Sequence, residues 1–180
     1  PVYVFTTGDE AELFVNGRSQ GRRAKRPGEW DKAYRLCWDD VRYEPGVVEV
    51  VAYRNGRELA RDRVETTGRA KALGLSSESS RIESDGCDLA FVNLAVFDSR
   101  HRVVPTASIL VTFKVEGPGV LVATDNGDEK DFSDFHSATR RTFNGRAQAI
   151  VRGLGGRTGV IRVRAVAEGL DEGVCEVCLA

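Results

Sequence analysis

Two dipeptides constrain this chain more than anything else in it. Asn16-Gly17 and Asn55-Gly56 each separate two runs in which apolar and polar side chains alternate. A two-residue hairpin connection of type I′ needs positive φ at both central positions, and Asn-Gly adopts that at low steric cost. "AELFVNGRSQGRR" is therefore one hairpin, with Leu13 and Val15 alternating with Glu12 and Phe14, and "VVEVVAYRNGRELARDRVE" is a second. Between them "KAYRLCWDD" has the alternation of a further strand, and "RYEPG" turns at Pro45 and Gly46. Five or six short strands in residues 1–66 make a small sandwich.

Helical periodicity is nearly absent from the rest, where strand-like runs recur between turn residues. The stretch "TTGRAKA", residues 66–72, contains Gly68 and no large apolar side chain, which marks it as a linker. It divides a domain over residues 1–67 from one over 72–180. In the second, "DLAFVNLAVFD", "ILVTFKVEG", "VLVAT", "AQAIVR", "GVIRVRAVA" and "GVCEVCLA" are the expected strands. Turns fall at 99–102, 117–119, 144–145 and 153–156. The fold class expected is all-β, with two consecutive antiparallel β-sandwich domains, immunoglobulin-like, although the Cys…Trp…Cys spacing of antibody domains is missing.

Hydrophobic residues make up 41% of the chain, enough for packed cores. The chain opens on Pro1 and contains no methionine, so a piece of a longer protein is expected. Residues 1–68 hold 12 Lys+Arg against 12 Asp+Glu, and the remainder 14 against 15. Neither half has the basic excess that phosphate backbones demand, so no nucleic-acid partner is expected. The one basic run, "RRAKR" at 22–26, suits a solvated strand end or an anionic partner. No apolar run approaches the roughly 20 residues of a membrane-crossing helix, so no membrane partner is expected either.

Cys175 and Cys178 form C-x-x-C, but within the alternating run "GVCEVCLA". Side chains three apart on a strand point to opposite faces, which neither bridges them nor lets them share a metal. With Cys37 and Cys87 they are expected to be buried free thiols. "RGLGGRTG" has the glycine density of a phosphate loop without its Lys-Ser/Thr ending, and it joins two strands as a hairpin loop does. No G-x-S-x-G occurs, and no catalytic residue, cofactor or metal is expected.

Two aromatic features raise a binding role. Trp38 alternates inward, whereas Trp30 sits in the polar stretch "RPGEWDKAY" and is the candidate for sugar or interdomain contact. "DNGDEKDFSDF", residues 125–135, crowds five carboxylates around Phe132 and Phe135, the other two candidates. An EF-hand loop needs D-x-[DN]-x-[DN]-G, and from Asp125 the third position is Gly127, the fifth Glu129 and the sixth Lys130. The reading here is a long loop over 125–143. Its phenylalanines cap the sandwich or dock on neighbouring domains, and its carboxylates stand at the rim; calcium is the alternative.

Taken in order, these motifs resemble a known family. Asp9-Glu10, Glu12-Leu13, Asn16-Gly17 and Gly21, followed by Trp38 and "YEPGVVEVVAYRNGRELARD", are similar to the small sandwich after the catalytic barrel in glycoside hydrolase family 2 β-galactosidases. Gln20 stands where leucine is usual. "DLAFVNLAVFDSRHRVVPTASILVTFKVEGPGVLVATDNGD" and "RTFNGRAQAIVR" resemble the next C-terminal domain, except that the usual D-x-x-G turn appears as Asp98-Ser-Arg-His101. The resemblance implies an accessory fragment whose partner is the upstream catalytic barrel of the same parent chain. It also implies a secreted or periplasmic enzyme that hydrolyses terminal β-galactosides. A carbohydrate-binding module or an adhesin-type domain is the alternative, and carbohydrate a possible partner.

Overall fold

The structure, a computed structural model, describes residues 1–180 apart from the side chain of Asp31. The chain divides into two compact units, Pro1–Thr66 and Thr67–Ala180.

The first unit contains β1 (Val2–Val4), β2 (Glu10–Val15), β3 (Arg18–Ala24), helix α1 (Trp30–Ala33), β4 (Leu36–Trp38), β5 (Val47–Arg54) and β6 (Arg57–Glu65). Four strands form one sheet in the order β3-β2-β5-β6, and β1 pairs antiparallel with β4. Both hairpins turn as the sequence requires: φ is 49° and 77° at Asn16 and Gly17, and 51° and 78° at Asn55 and Gly56. Asn16 does more than turn. Its Oδ1 accepts from the Val47 amide at 2.8 Å and its Nδ2 donates to the Pro45 carbonyl at 3.2 Å, tying the hairpin to the next turn. A Cβ on Gly46, where φ is 137°, would lie 1.9 Å from that Oδ1, so the turn needs glycine there.

Alternation carries Ala11 and Leu13 of β2 to the inner face, where they meet Val4, Leu36 and Trp38. Trp38 is 2% exposed and its indole N–H donates to the Gly21 carbonyl at 3.1 Å. That bond satisfies a donor which burial would otherwise strand. The strand expected across "KAYRLCWDD" is shorter than its alternation suggests. Among the described residues it pairs with the three-residue β1, and Lys32 and Ala33 belong instead to the four-residue α1.

The second unit contains β7 (Ala70–Ser77), β8 (Arg81–Ile82), β9 (Leu89–Asp98), β10 (Leu110–Glu116), β11 (Gly119–Asp125), β12 (Thr139–Arg141), β13 (Arg146–Gly153), β14 (Gly159–Val166) and β15 (Gly173–Leu179). One sheet runs β12-β10-β14-β15-β8 and the other β11-β13-β9-β7. All neighbours are antiparallel except the two-residue β8, which lies parallel to β15. Ala90, Val92, Leu94 and Val96 of β9 pack in one core with Val111, Phe113, Ile161, Val163 and Val177 of the other sheet. Each large apolar side chain withdrawn this way contributes about 1.5–3 kcal/mol.

Two expectations need correction. Residues 70–72, assigned to a linker, already belong to β7, where Ala70 pairs with Asp98. Farther along the same strand glycine is a packing requirement, since a Cβ on Gly74 would come within 2.4 Å of Phe97 Cε2. The cysteines are free, but Cys87 and Cys178 are exposed and Cys37 and Cys175 half-buried. Cys178 takes the outer face of β15 while Val177 and Leu179 take the core.

Candidate functional site

The acidic stretch after β11 is a train of side-chain-closed turns. Asp125 Oδ1 accepts the amides of Asn126 (2.7 Å) and Gly127 (3.3 Å), Asp128 Oδ1 that of Lys130 (3.0 Å), Asp131 Oδ1 that of Ser133 (2.9 Å), and Asp134 Oδ1 that of His136 (2.9 Å). Aspartate spaced every third residue therefore supplies acceptors to a backbone that has no strand partner. Strand β12 then returns the chain to β10, so residues 125–143 are not one continuous loop.

Arg140 of β12 holds the train in place. It is 1% exposed; its Nε donates to Thr124 Oγ1 at 3.2 Å, Nη1 to Asp131 Oδ2 at 3.2 Å, and Nη2 to the Asp134 carbonyl at 2.8 Å. The Ser133 hydroxyl and amide, then the Arg140 guanidinium, pull the Asp131 carboxyl down from 3.8 to about 2. Phe135 lies 5.5 Å from the Arg140 guanidinium. None of the phenylalanines is withdrawn into the core: exposure is 95% at Phe132, 54% at Phe135 and 40% at Phe143. Between the turns and Phe143 lies a shallow groove of 270 Å³, bordered by Asn126, Asp128 and Arg141. Among the described residues no three His, Cys, Asp or Glu side chains converge as metal ligands.

A second carboxylate is used in the same way. Asp98, buried at the end of β9, accepts the amides of Gly68 (2.8 Å), Arg100 (2.9 Å) and Arg102 (3.0 Å) and the Arg102 guanidinium at 2.7 Å. Arg102 above all, then the Gly68 amide, holds its carboxyl far below the usual range. His101 fills the glycine position of this turn with φ 60°, and its ring stacks on Phe97 at 4.2 Å. The turn thus survives the loss of its glycine.

The first unit presents a different surface. Edge strand β3, α1 and β4 enclose a cleft of 670 Å³ lined by Arg22, Arg23, Arg26, Lys32 and Arg35, with Tyr3 and Asp39 at its wall. Arg22 reaches Glu10 at 2.5 Å and its guanidinium lies 3.7 Å from the Tyr53 ring. Glu29 serves both Lys32 (2.6 Å) and Arg26 (3.5 Å). Arg23 donates to the Cys37 carbonyl and covers Trp38 at 5.5 Å, and Arg35 covers Tyr3 at 4.8 Å. Trp30, at the start of α1, is 82% exposed.

Residues 73–176 match the family described as glycoside hydrolase family 2 C-terminal domain 5. This chain belongs to that family. Residues 1–60 match a domain of unknown function, DUF4982. The chain is similar to a beta-galactosidase of Bacteroides ovatus, 33% identical over 96% of this chain and 20% of that protein. It is also similar to a putative beta-glucuronidase of Formosa agariphila, 30% identical over 86% of this chain and 15% of that protein. A glycosyl hydrolase family 2 member from Bacteroides cellulosilyticus matches with TM-score 0.91 at 28% identity, over 99% of this chain and 22% of that one. The glycoside hydrolase family 2 chain described here therefore spans a fifth or less of the curated relatives' length.

Sequence reasoning named Trp30, Phe132 and Phe135 and left out Arg140 and the cleft. The threefold aspartate spacing was a usable signal for the turns. Nothing local marks Arg140 as buried, because its strand is three residues of Thr and Arg. The cleft cations beyond "RRAKR" come from 32 and 35, which only the fold brings beside β3.

Proposed function

We propose that this chain is a non-catalytic accessory part of a larger glycoside hydrolase family 2 enzyme that hydrolyses terminal β-galactosides. The observation that carries the reading is 33% identity to the Bacteroides ovatus beta-galactosidase across 96% of this chain. The site chemistry supports it: Asp98 and Asp131, the two most strongly acidified carboxyls, are engaged in holding turns. A general acid needs the opposite shift, a carboxyl raised toward neutrality.

In this proposal the acid/base and nucleophile lie in the barrel that the family resemblance puts upstream. Trp30, Phe132 and Phe135 make contacts with the parent's other domains. The pairing order β7-β9-β13-β11 against β10-β14-β15 supports an immunoglobulin-type sandwich for the second unit. A second reading, carbohydrate binding, is favoured by the exposure of Trp30.

The test assays the purified chain and the full parent on aryl β-galactoside and aryl β-glucuronide. The chain is expected to turn over neither, and the parent the galactoside. Turnover by the chain itself would overturn the accessory role. A parent that cleaves only the glucuronide would overturn the galactoside assignment and leave that role intact.

A further inference from the structure

We propose that the basic cleft of the first unit is a binding subsite for an anionic sugar, through the carboxylate of a uronate or a sulfate ester of an acidic oligosaccharide. The inference rests on family membership and on the cleft, not on the parent's specificity.

Charge is concentrated there. Arg22, Arg23, Arg26, Lys32 and Arg35 line the cleft, against Asp39 in the lining and Glu10 and Glu29 reaching in from its edge. Among the described side chains five cations stand there against three carboxylates, whereas residues 1–68 as a whole, the cleft included, balance at 12 against 12. Guanidinium groups present planar forks that match carboxylate and sulfate oxygens two at a time.

Several of these forks are set in place before any ligand arrives. Arg22 is held between Glu10 and the Tyr53 ring, Arg23 by the Cys37 carbonyl over Trp38, and Arg35 over Tyr3. Ordering such side chains in advance lowers the entropy lost on binding. Tyr3 is 48% exposed, leaving ring surface beside the cations for the apolar face of a pyranose. At 670 Å³ the cleft falls in the range of about 300–1,000 Å³ typical of small-ligand sites. A nucleic acid is the poorer fit, because it needs a basic stripe that follows several successive phosphates, and here the charge is confined to one cleft.

Calorimetry on the 180-residue chain decides the matter. The probes are tri-galacturonate, a heparin-derived tetrasaccharide, neutral cellotriose and a single-stranded DNA oligonucleotide. At least one acidic sugar is expected to bind at least about tenfold more tightly than cellotriose or DNA, and more weakly as salt rises from about 0.05 to about 0.3 M. The tri-galacturonate and heparin arms distinguish carboxylate from sulfate recognition. The double variant Arg23→Gln/Arg35→Gln should weaken that binding about tenfold or more. A cooperative urea-unfolding transition shows whether the variant is folded; if it is not, Arg26→Gln/Arg35→Gln takes its place. Failure of both acidic probes to bind, equal binding of cellotriose or DNA, or unchanged affinity in a folded variant would overturn the proposal.

Discussion

Arg140 Nη1 lies 3.2 Å from Asp131 Oδ2, joining a side chain that is 1% exposed on β12 to the middle of the acidic train. One buried guanidinium thereby fixes a segment that has few backbone partners of its own. Removing it takes a donor at once from Asp131 Oδ2, Thr124 Oγ1 and the Ser133 and Asp134 carbonyls. Loss of one partner of a buried, hydrogen-bonded charge costs about 3–5 kcal/mol. Arg140→Met should therefore lower the urea-unfolding free energy by about that much. Asp131→Asn, which keeps an acceptor oxygen, should cost less, and the double variant should be less than additive. An Arg140→Met chain within about 0.5 kcal/mol of the parent would show that the guanidinium is not the anchor.

Acid should weaken the second unit. The carboxyls of Asp131 and Asp98 are both pulled below the ordinary 3.8, Asp131 to about 2. A carboxyl depressed by folding adds stability that is complete above its unfolded pKa and is lost as pH falls through the folded value. The window therefore opens near pH 4 and, for Asp131, runs down to about 2, with Asp98 titrating lower still. Urea midpoints measured between neutral pH and pH 2 should stay flat above the window and fall within it. Asp131→Asn should make that fall shallower, and an unchanged slope would remove Asp131 as a cause.

The turn at His101 combines strain and compensation in one residue. Its φ of 60° costs a side-chain-bearing residue about 1–2 kcal/mol. Its stack on Phe97, with 2° between the ring planes, returns about 0.5–1.5 kcal/mol. His101→Gly gives up both and should stay within about 1 kcal/mol of the parent. His101→Ala keeps the strain without the stack and should be the less stable of the two. Equilibrium unfolding in urea ranks them, and an alanine variant more stable than the glycine variant would contradict this account.

How far the sequence revealed this molecule depended on whether the information was local. Asn16-Gly17 and Asn55-Gly56 specify their hairpins from two residues each, and the alternation of β9, β14 and β15 shows which side chains reach the core. Strand β7 was partly hidden because Gly74 must be small to clear Phe97, a condition set by a neighbour more than twenty positions away. Strand β12 was hidden because its buried residue is Arg140, which burial propensity places outside. The same limit applies to the basic cleft. "RRAKR" shows a basic run, but only β1, α1 and β4 folding beside β3 turn it into a concave site.

Calcium should leave the protein unmoved, despite five acidic residues within 125–134. Calcium needs 6–8 oxygens converging at about 2.3–2.6 Å. Successive turns instead give each of Asp125, Asp128, Asp131 and Asp134 a different amide to hold. Asp131 is further committed to Arg140 and to Asn126 Nδ2 at 2.8 Å. A site filled at a hundred times its dissociation constant would add about 2.7 kcal/mol, an easily measured rise in melting temperature. Thermal melts in millimolar calcium and in chelator are therefore expected to agree within about 1 °C. A rise of many degrees with calcium, abolished by Asp125→Asn or Asp128→Asn, would mean that the turns rearrange around an ion and that their amide bonds are not what the aspartates are for.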